Sequence, residues 1–141
     1  LESPTLKTFG LVAALRGFKD MFARTPGLDF ELDVHGLDKR LDTRTEHHIY
    51  LILKELFNNA LKYANPTEFS IQLLKVERQL TVVVEDNGRG FDPLAPTVKA
   101  GLGLQSIKNR VQYMNGSLKI DSAIGRGTIV TIEIPLQQET I

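Results

Sequence analysis

Val82-Val83-Val84-Glu85-Asp86-Asn87-Gly88-Arg89-Gly90-Phe91 passes from a β-branched run, through two carboxylates, into a Gly-x-Gly turn. Valine runs suit a buried strand. Glycine tolerates positive φ and lets a ligand approach the backbone closely. Asp-x-Gly is also common hairpin-turn chemistry, so a ligand turn and a plain turn both remain open at this point. No complementary strand follows Gly90. Instead the stretch from Asp86 to Gly103 is rich in glycine and proline, and loops longer than about 12 residues are usually functional or disordered.

Working outward, Glu68 to Val76 and Gln79 to Glu85 read as a strand pair turning near Glu77-Arg78. A long helix precedes them, capped by Asp42 or Thr43. Glu46 stands three residues beyond Thr43, as in a capping box, and Asn65-Pro66 ends the helix after Ala64. Leu28 to Val34 alternates apolar with acidic residues, the mark of a strand with one face buried. Thr5 to Ala23 has apolar residues at mostly helical spacing and stops before Pro26-Gly27. Downstream, Leu104 to Met114 is helical up to Asn115-Gly116. Ser117 to Ser122 and Thr128 to Pro135 form a last strand pair around Gly125-Arg126-Gly127. This order is not the regular βαβ alternation of a doubly wound sheet. It suggests an α/β fold with helices on one face of a mixed or antiparallel sheet.

The chain has 141 residues, suiting a single domain over 1–141. Seventeen basic and seventeen acidic residues cancel, so no global field draws in nucleic acid or an anionic membrane. The absence of cysteine removes disulfides and thiolate chemistry. No run approaches the ~20 apolar residues that span a bilayer. The expectation is a cytoplasmic domain without direct membrane contact, whose parent chain could carry membrane spans elsewhere. His47 and His48 lie on different sides of a helix, unlike the i, i+4 spacing of helical metal pairs, and read as structural or surface residues.

Three further constellations carry chemistry. At about 100° per residue, Glu55, Asn59 and Lys62 share one strip of the long helix. Such a strip is either a solvated polar face or a cleft wall. A carboxylate, an amide oxygen and an ammonium together could hold a hard cation and neutralise polyphosphate. Gly101-Leu102-Gly103-Leu104 opens the next helix, where free backbone N–H groups and the helix dipole favour phosphate. It matches neither a Walker nor a Rossmann fingerprint. Gly125-Arg126-Gly127-Thr128 reads, by itself, as a hairpin turn.

In combination and in this order, Glu55-x-x-x-Asn59-x-x-Lys62-Tyr63-Ala64, Asp86-x-Gly88-x-Gly90-Phe91, Gly101-x-Gly103-Leu104 and Gly125-x-Gly127-Thr128 resemble the nucleotide boxes of the GHKL ATPase superfamily. Gly-Leu-Gly-Leu-x-x-Ile-x-x-Arg-Val is similar to the catalytic, ATP-binding domain of sensor histidine kinases. Glu55 and the segment Phe9 to Leu15 resemble the subfamily of nitrate sensors and the desaturase thermosensor. The resemblance implies a Bergerat fold, a two-layer sandwich of a mixed sheet with helices on one face. It implies ATP and Mg²⁺ as ligands. Asp86 would accept the adenine amino group, Gly88 and Gly90 would pack under base and sugar, and Thr128 would assist Asp86. Asn59 would carry Mg²⁺, and Lys62 would meet phosphate. Gly101, Gly103 and Leu104 would bound a lid, and Tyr63 would pack on the nucleotide or in the core. Glu55 would act in catalysis, by activating water or by ordering metal and water.

The implied partners are a phosphoacceptor helical dimerisation domain, adjoining a start helix over residues 1–24, and a response regulator. A phosphoacceptor histidine next to an acidic residue would lie upstream of Leu1. The alternatives are a free-standing GHKL kinase or switch protein of the anti-sigma-factor type, or a GHKL ATPase.

Overall fold

Five strands form a mixed sheet in the order β1-β2-β3-β5-β4. The computed structural model describes residues 3–22, 24–95, 101 and 103–137. Its strands are β1 (Asp29–His35), β2 (Glu68–Val76), β3 (Gln79–Asp86), β4 (Ser117–Ser122) and β5 (Thr128–Pro135). The β1–β2 pair is parallel and the other three pairs are antiparallel. Period-2 alternation explains the layering. Phe69, Ile71 and Leu73 of β2, Leu80, Val82 and Val84 of β3, and Val130, Ile132 and Ile134 of β5 are all buried. Intervening residues such as Gln72, Thr81 and Glu133 take the opposite face. One face is therefore covered by helices, as the element order indicates.

The covering helices are α1 (Pro4–Phe9), α2 (Leu11–Phe22), α3 (Thr43–Asn59) and α4 (Leu104–Tyr113). From them, Leu11, Leu15 and Phe18, then Ile49, Ile52, Leu53 and Phe57, then Ile107 and Val111 enter one core. Phe57 links the layers, with its ring 5.0 Å from Phe18 and 5.8 Å from Phe69, centroid to centroid. Truncating such a ring typically costs about 3–5 kcal/mol.

Two expectations need correction. The first concerns the start helix, which is not continuous but breaks at Gly10 (φ +96°). The cause is the second correction. Asp42 alone caps α3, its Oδ1 accepting from the Thr45 N–H at 2.7 Å. Glu46 closes no capping box. It is buried, and its Oε2 accepts from the Leu11 N–H at 3.2 Å. Arg40 donates to Glu46 Oε1 at 2.8 Å and to the Leu6 carbonyl at 3.2 Å. These two side chains satisfy the end of α1 and the start of α2, groups that every helix terminus leaves unpaired. A side chain at position 10 would meet the Arg40 Nε. Ala23 and residues 138–141, placed by the sequence in the first helix and the tail, lie outside the described residues.

The long helix also changes character where it matters. From Ala60 to Ala64 it winds as a π-helix, and Asn65 (φ +49°) closes it by donating its N–H to the Ala60 carbonyl at 3.2 Å. Short π segments often mark functional sites. Among the described residues no helix is long and apolar enough to cross a membrane.

Candidate functional site

Strand register aligns Phe30, Phe69, Asp86, Thr128 and Ser122 in a single row across the sheet. Buried Phe69 and Thr128 place this row on the helix-covered face. The hydrophobic layer thus ends in a row that is aromatic on β1 and β2 and polar on β3, β5 and β4. Above it, the π-helical turn leaves a cavity of about 350 Å³, within the usual size range of small-molecule sites. Leu56, Ala60, Phe69, Val84 and Val130 supply apolar lining, while Asn59, Asp86, Arg89 and Thr128 supply polar groups.

Asp86 is held by its own turn. The Gly88 N–H donates to Asp86 Oδ1 at 2.8 Å, an Asx-turn that sets the carboxylate's orientation. Burial raises the Asp86 pKa above its ordinary value, and nearby Glu85 adds to this, while the Gly88 hydrogen bond opposes it. The turn is fastened from three sides. The Arg89 N–H donates to the Ala64 carbonyl at 2.8 Å, tying it to the end of the π-helix. Asn87 Oδ1 accepts from the N–H groups of Thr67 and Glu68 at 2.9 and 2.8 Å, tying it to β2. The Phe91 N–H donates to Ser122 Oγ at 2.9 Å, tying it to β4.

Gly88 and Gly90 have packing reasons to be glycine. A Cβ at Gly88 would strike the Ala64 carbonyl, and one at Gly90 (φ +69°) would strike the Ala123 carbonyl. Gly127 packs equally close to the Asp86 backbone. Thr128 is buried, with its Oγ1 2.8 Å from Ser122 Oγ. Ser122 and Asn87 carry no sequence signal of their own. Asn87 stood as a free position in Asp-x-Gly, and Ser122 reaches the site only through strand register.

The other expected residues are less gathered. Asn59, Tyr63, Gly101 and Leu104 line the cavity. Tyr63 is half exposed at its rim and is not part of the core. Lys62 is exposed and lies outside the lining, on the same π turn as Ala60, Tyr63 and Ala64, which line it. Glu55 lies beside a separate cavity of about 170 Å³ with Asn58, Ser106 and Arg110. Its carboxylate packs on Gly103 (φ +65°), the residue before α4, so tightly that a Cβ there would collide with it. Residues 96–100 and Leu102, within the expected lid, lie outside the described residues.

Oxygen donors suited to a hard cation are present on successive turns of α3, in Glu55 and Asn59. Among the described residues no cluster of three His, Cys, Asp or Glu side chains could hold a metal. A cation here would need oxygens from a ligand. His48 is a structural residue. Arg110 Nη1 lies 3.1 Å from its Nδ1, and an arginine can only donate, so Nδ1 accepts. Burial, followed by Arg110 and His47, lowers its pKa.

Comparison with known proteins gives consistent results. The family described as histidine kinase-, DNA gyrase B- and HSP90-like ATPase matches residues 44–138. The oxygen sensor histidine kinase NreB of Staphylococcus carnosus is 34% identical over 136 residues, covering 96% of this chain and 39% of that protein. The chain therefore spans about two fifths of the length of this curated relative. Among solved structures, the histidine kinase domain of the Erythrobacter litoralis EL346 blue-light activated histidine kinase aligns with a TM-score of 0.70 and 28% identity. That alignment covers 90% of this chain and 59% of the other. The histidine kinase AdeS of Acinetobacter baumannii shares the fold, with a TM-score of 0.67 at 24% identity over 88% of this chain and 61% of the other.

Proposed function

The chain belongs to the family of histidine kinase-, DNA gyrase B- and HSP90-like ATPases, and from that premise we propose that it is the Mg-ATP-binding catalytic domain of a two-component sensor histidine kinase. In this reading it delivers the γ-phosphoryl group to a histidine on a helical dimerisation domain of the same protein, with a response regulator as the later acceptor. One observation carries the reading. A half-buried carboxylate, Asp86, stands at the polar end of a mainly apolar cavity that reaches Asn59 on α3.

An ionised carboxylate only accepts hydrogen bonds. Asp86 therefore suits an exocyclic amino group, as on adenine, and repels a carbonyl at the same place, as on guanine. Apolar Ala60, Phe69, Val84 and Val130 would cover the faces of a planar base, and Gly88 and Gly90 would leave room for base and sugar. Asn59 would hold Mg²⁺ through its amide oxygen, the phosphates completing the shell. When bound, the ion would offset charge on the phosphates during transfer. Gly101, Gly103 and Leu104 would offer backbone N–H groups at the start of α4 to the phosphates. Lys62 would approach phosphate as a mobile point charge from outside the cavity.

Glu55 fits two roles: water activation, or ordering of metal and water around the transferred group. A neutral imidazole nucleophile needs no strong base, and phosphoryl transfer depends mainly on positioning and charge neutralisation.

The deciding experiment combines this chain with the upstream helical fragment of its parent and labelled ATP. Label on the helical fragment that is lost in acid and kept in alkali is the expected result. Hydrolysis without transfer to any helical histidine would instead favour a GHKL ATPase. A parent chain lacking upstream helices would favour a free-standing kinase or switch protein.

A further inference from the structure

Ser122 sits on β4, away from the cavity lining, yet its hydroxyl joins three parts of the site. The Phe91 N–H donates to its Oγ at 2.9 Å, its own proton goes to the Gly127 carbonyl at 3.0 Å, and Thr128 Oγ1 lies 2.8 Å away. A serine hydroxyl has one proton and two lone pairs. An amide N–H can only donate, so it occupies one lone pair. A carbonyl can only accept, so it takes the proton. The one remaining capacity of Ser122 is a lone pair, and Thr128 must therefore be the donor in the hydroxyl–hydroxyl contact.

From this count we propose that Ser122 is a specificity-determining positioning residue, which turns the Thr128 proton away from the cavity so that Thr128 shows only lone pairs to a bound base. The inference rests on the nucleotide reading above. Asp86 and Thr128 are adjacent on paired strands, so this pair of side chains presents acceptors alone, while Arg89 and Asn59 stand elsewhere in the lining. An amino group is matched there directly. A ring nitrogen that can only accept needs an intervening water, whose two protons serve both sides. A base carbonyl finds no donor in this pair. Without the Ser122 acceptor the Thr128 hydroxyl could rotate and donate to such a carbonyl, and the site would lose part of its selectivity.

The test compares ATP with inosine triphosphate, which carries a carbonyl in place of the amino group, by calorimetry on the 141-residue chain. Wild type should prefer ATP. Ser122→Ala should narrow the ATP-to-inosine-triphosphate affinity ratio by about tenfold, the scale of one hydrogen bond. Ser122→Thr, which keeps the hydroxyl, should restore the ratio to within about twofold on the same scale. Thr128→Val should shift the ratio by itself, and adding Ser122→Ala to it should change nothing further, as expected of two residues acting through one hydroxyl.

Equal weakening of both nucleotides by Ser122→Ala would reveal a structural strut only, through loss of the Phe91 contact, and would overturn the inference. So would a ratio unmoved by Thr128→Val, a measurement that stands even if Ser122→Ala fails to fold. A folded wild-type chain that binds neither nucleotide would overturn the nucleotide reading as well. Binding with an unmoved ratio would overturn this inference alone.

Discussion

The two ends of the cleft are built differently. At the sheet end, Asp86, Thr128 and Ser122 occupy neighbouring register positions on β3, β5 and β4. Asn87, Arg89 and Phe91 fasten the adjoining turn to β2, the π-helix and β4, and Gly88 ties it to Asp86. At the helix end, Asn59 lines the cavity, Glu55 packs against Gly103 beside a second cavity, and Lys62 is exposed outside both. The sheet end is held by a set of hydrogen bonds from turn backbone and side chains to neighbouring elements. The helix end depends on side chains projecting from separate turns. Under the proposed nucleotide reading, the sheet end would be the prebuilt part of the site and the helix end would be completed by the ligand's own charges.

The largest expected effect lies at the sheet end. Asp86→Asn keeps an acceptor for the Gly88 N–H but places an amide where a bare carboxylate stood. ATP affinity should fall about a hundredfold or more, in line with the strength of hydrogen bonds to charged groups. The fold should survive, with a melting temperature equal to or above wild type, since a desolvated charge is removed. Calorimetry and thermal melting check the two halves. Unchanged ATP affinity would break the comparison at its stronger end.

Asn59→Ala tests the other end. Mg-ATP binding should weaken about tenfold, as for loss of one well-placed polar contact, whereas metal-free nucleotide should lose much less. Equal losses with and without Mg²⁺ would remove Asn59 as a metal ligand. Glu55→Gln should separate two reactions: transfer to the helical fragment is retained within about tenfold, the usual scale for one modest polar contact, while slow ATP hydrolysis is lost. Loss of transfer with hydrolysis intact would favour ordering of metal and water around the transferred group over water activation.

A pH series sharpens the contrast through sign. The folded-state Asp86 carboxyl titrates above its ordinary value of 3.8. As pH falls through that raised value, the ligand-free domain should gain stability, because the folded state takes up the proton first. Over the same interval ATP affinity should fall, at most about tenfold per pH unit for a single proton. Asp86→Asn should abolish both trends. Parallel loss of stability and affinity on acidification would place the titration elsewhere. The smallest effect is expected for Lys62→Ala, about twofold to threefold in ATP affinity and weakening with salt, as for other exposed charges.

Much of this molecule was legible before folding. Alternation in Leu28 to Val34 and the valine run before Asp86 mark strands because side-chain period alone decides which face is buried. Asn65-Pro66 and Asn115-Gly116 mark helix ends for local steric reasons. Local rules failed where distant groups intervened. Apolar spacing across Phe9 to Leu15 suits one helix, but Arg40, 34 positions from Leu6, and Glu46, 35 positions from Leu11, supply partners for the chain ends where it breaks at Gly10. The helical strip drawn through Lys62 assumes a uniform α-helical angle and takes no account of the π turn that starts at Ala60.

By itself the sequence determined the element order, the one-sided sheet, and the turn of Asp86 and its glycines at the end of a buried strand, since these follow from periodicity and from conformations that glycine tolerates. Only the tertiary structure decided which polar groups share a cavity. Strand register brings Ser122 beside Thr128 and Thr128 beside Asp86, across residues far apart in the chain. Helix winding sets Asn59 in the cleft and leaves Lys62 outside. Register and winding are collective properties of packed elements, and so no local stretch encodes them.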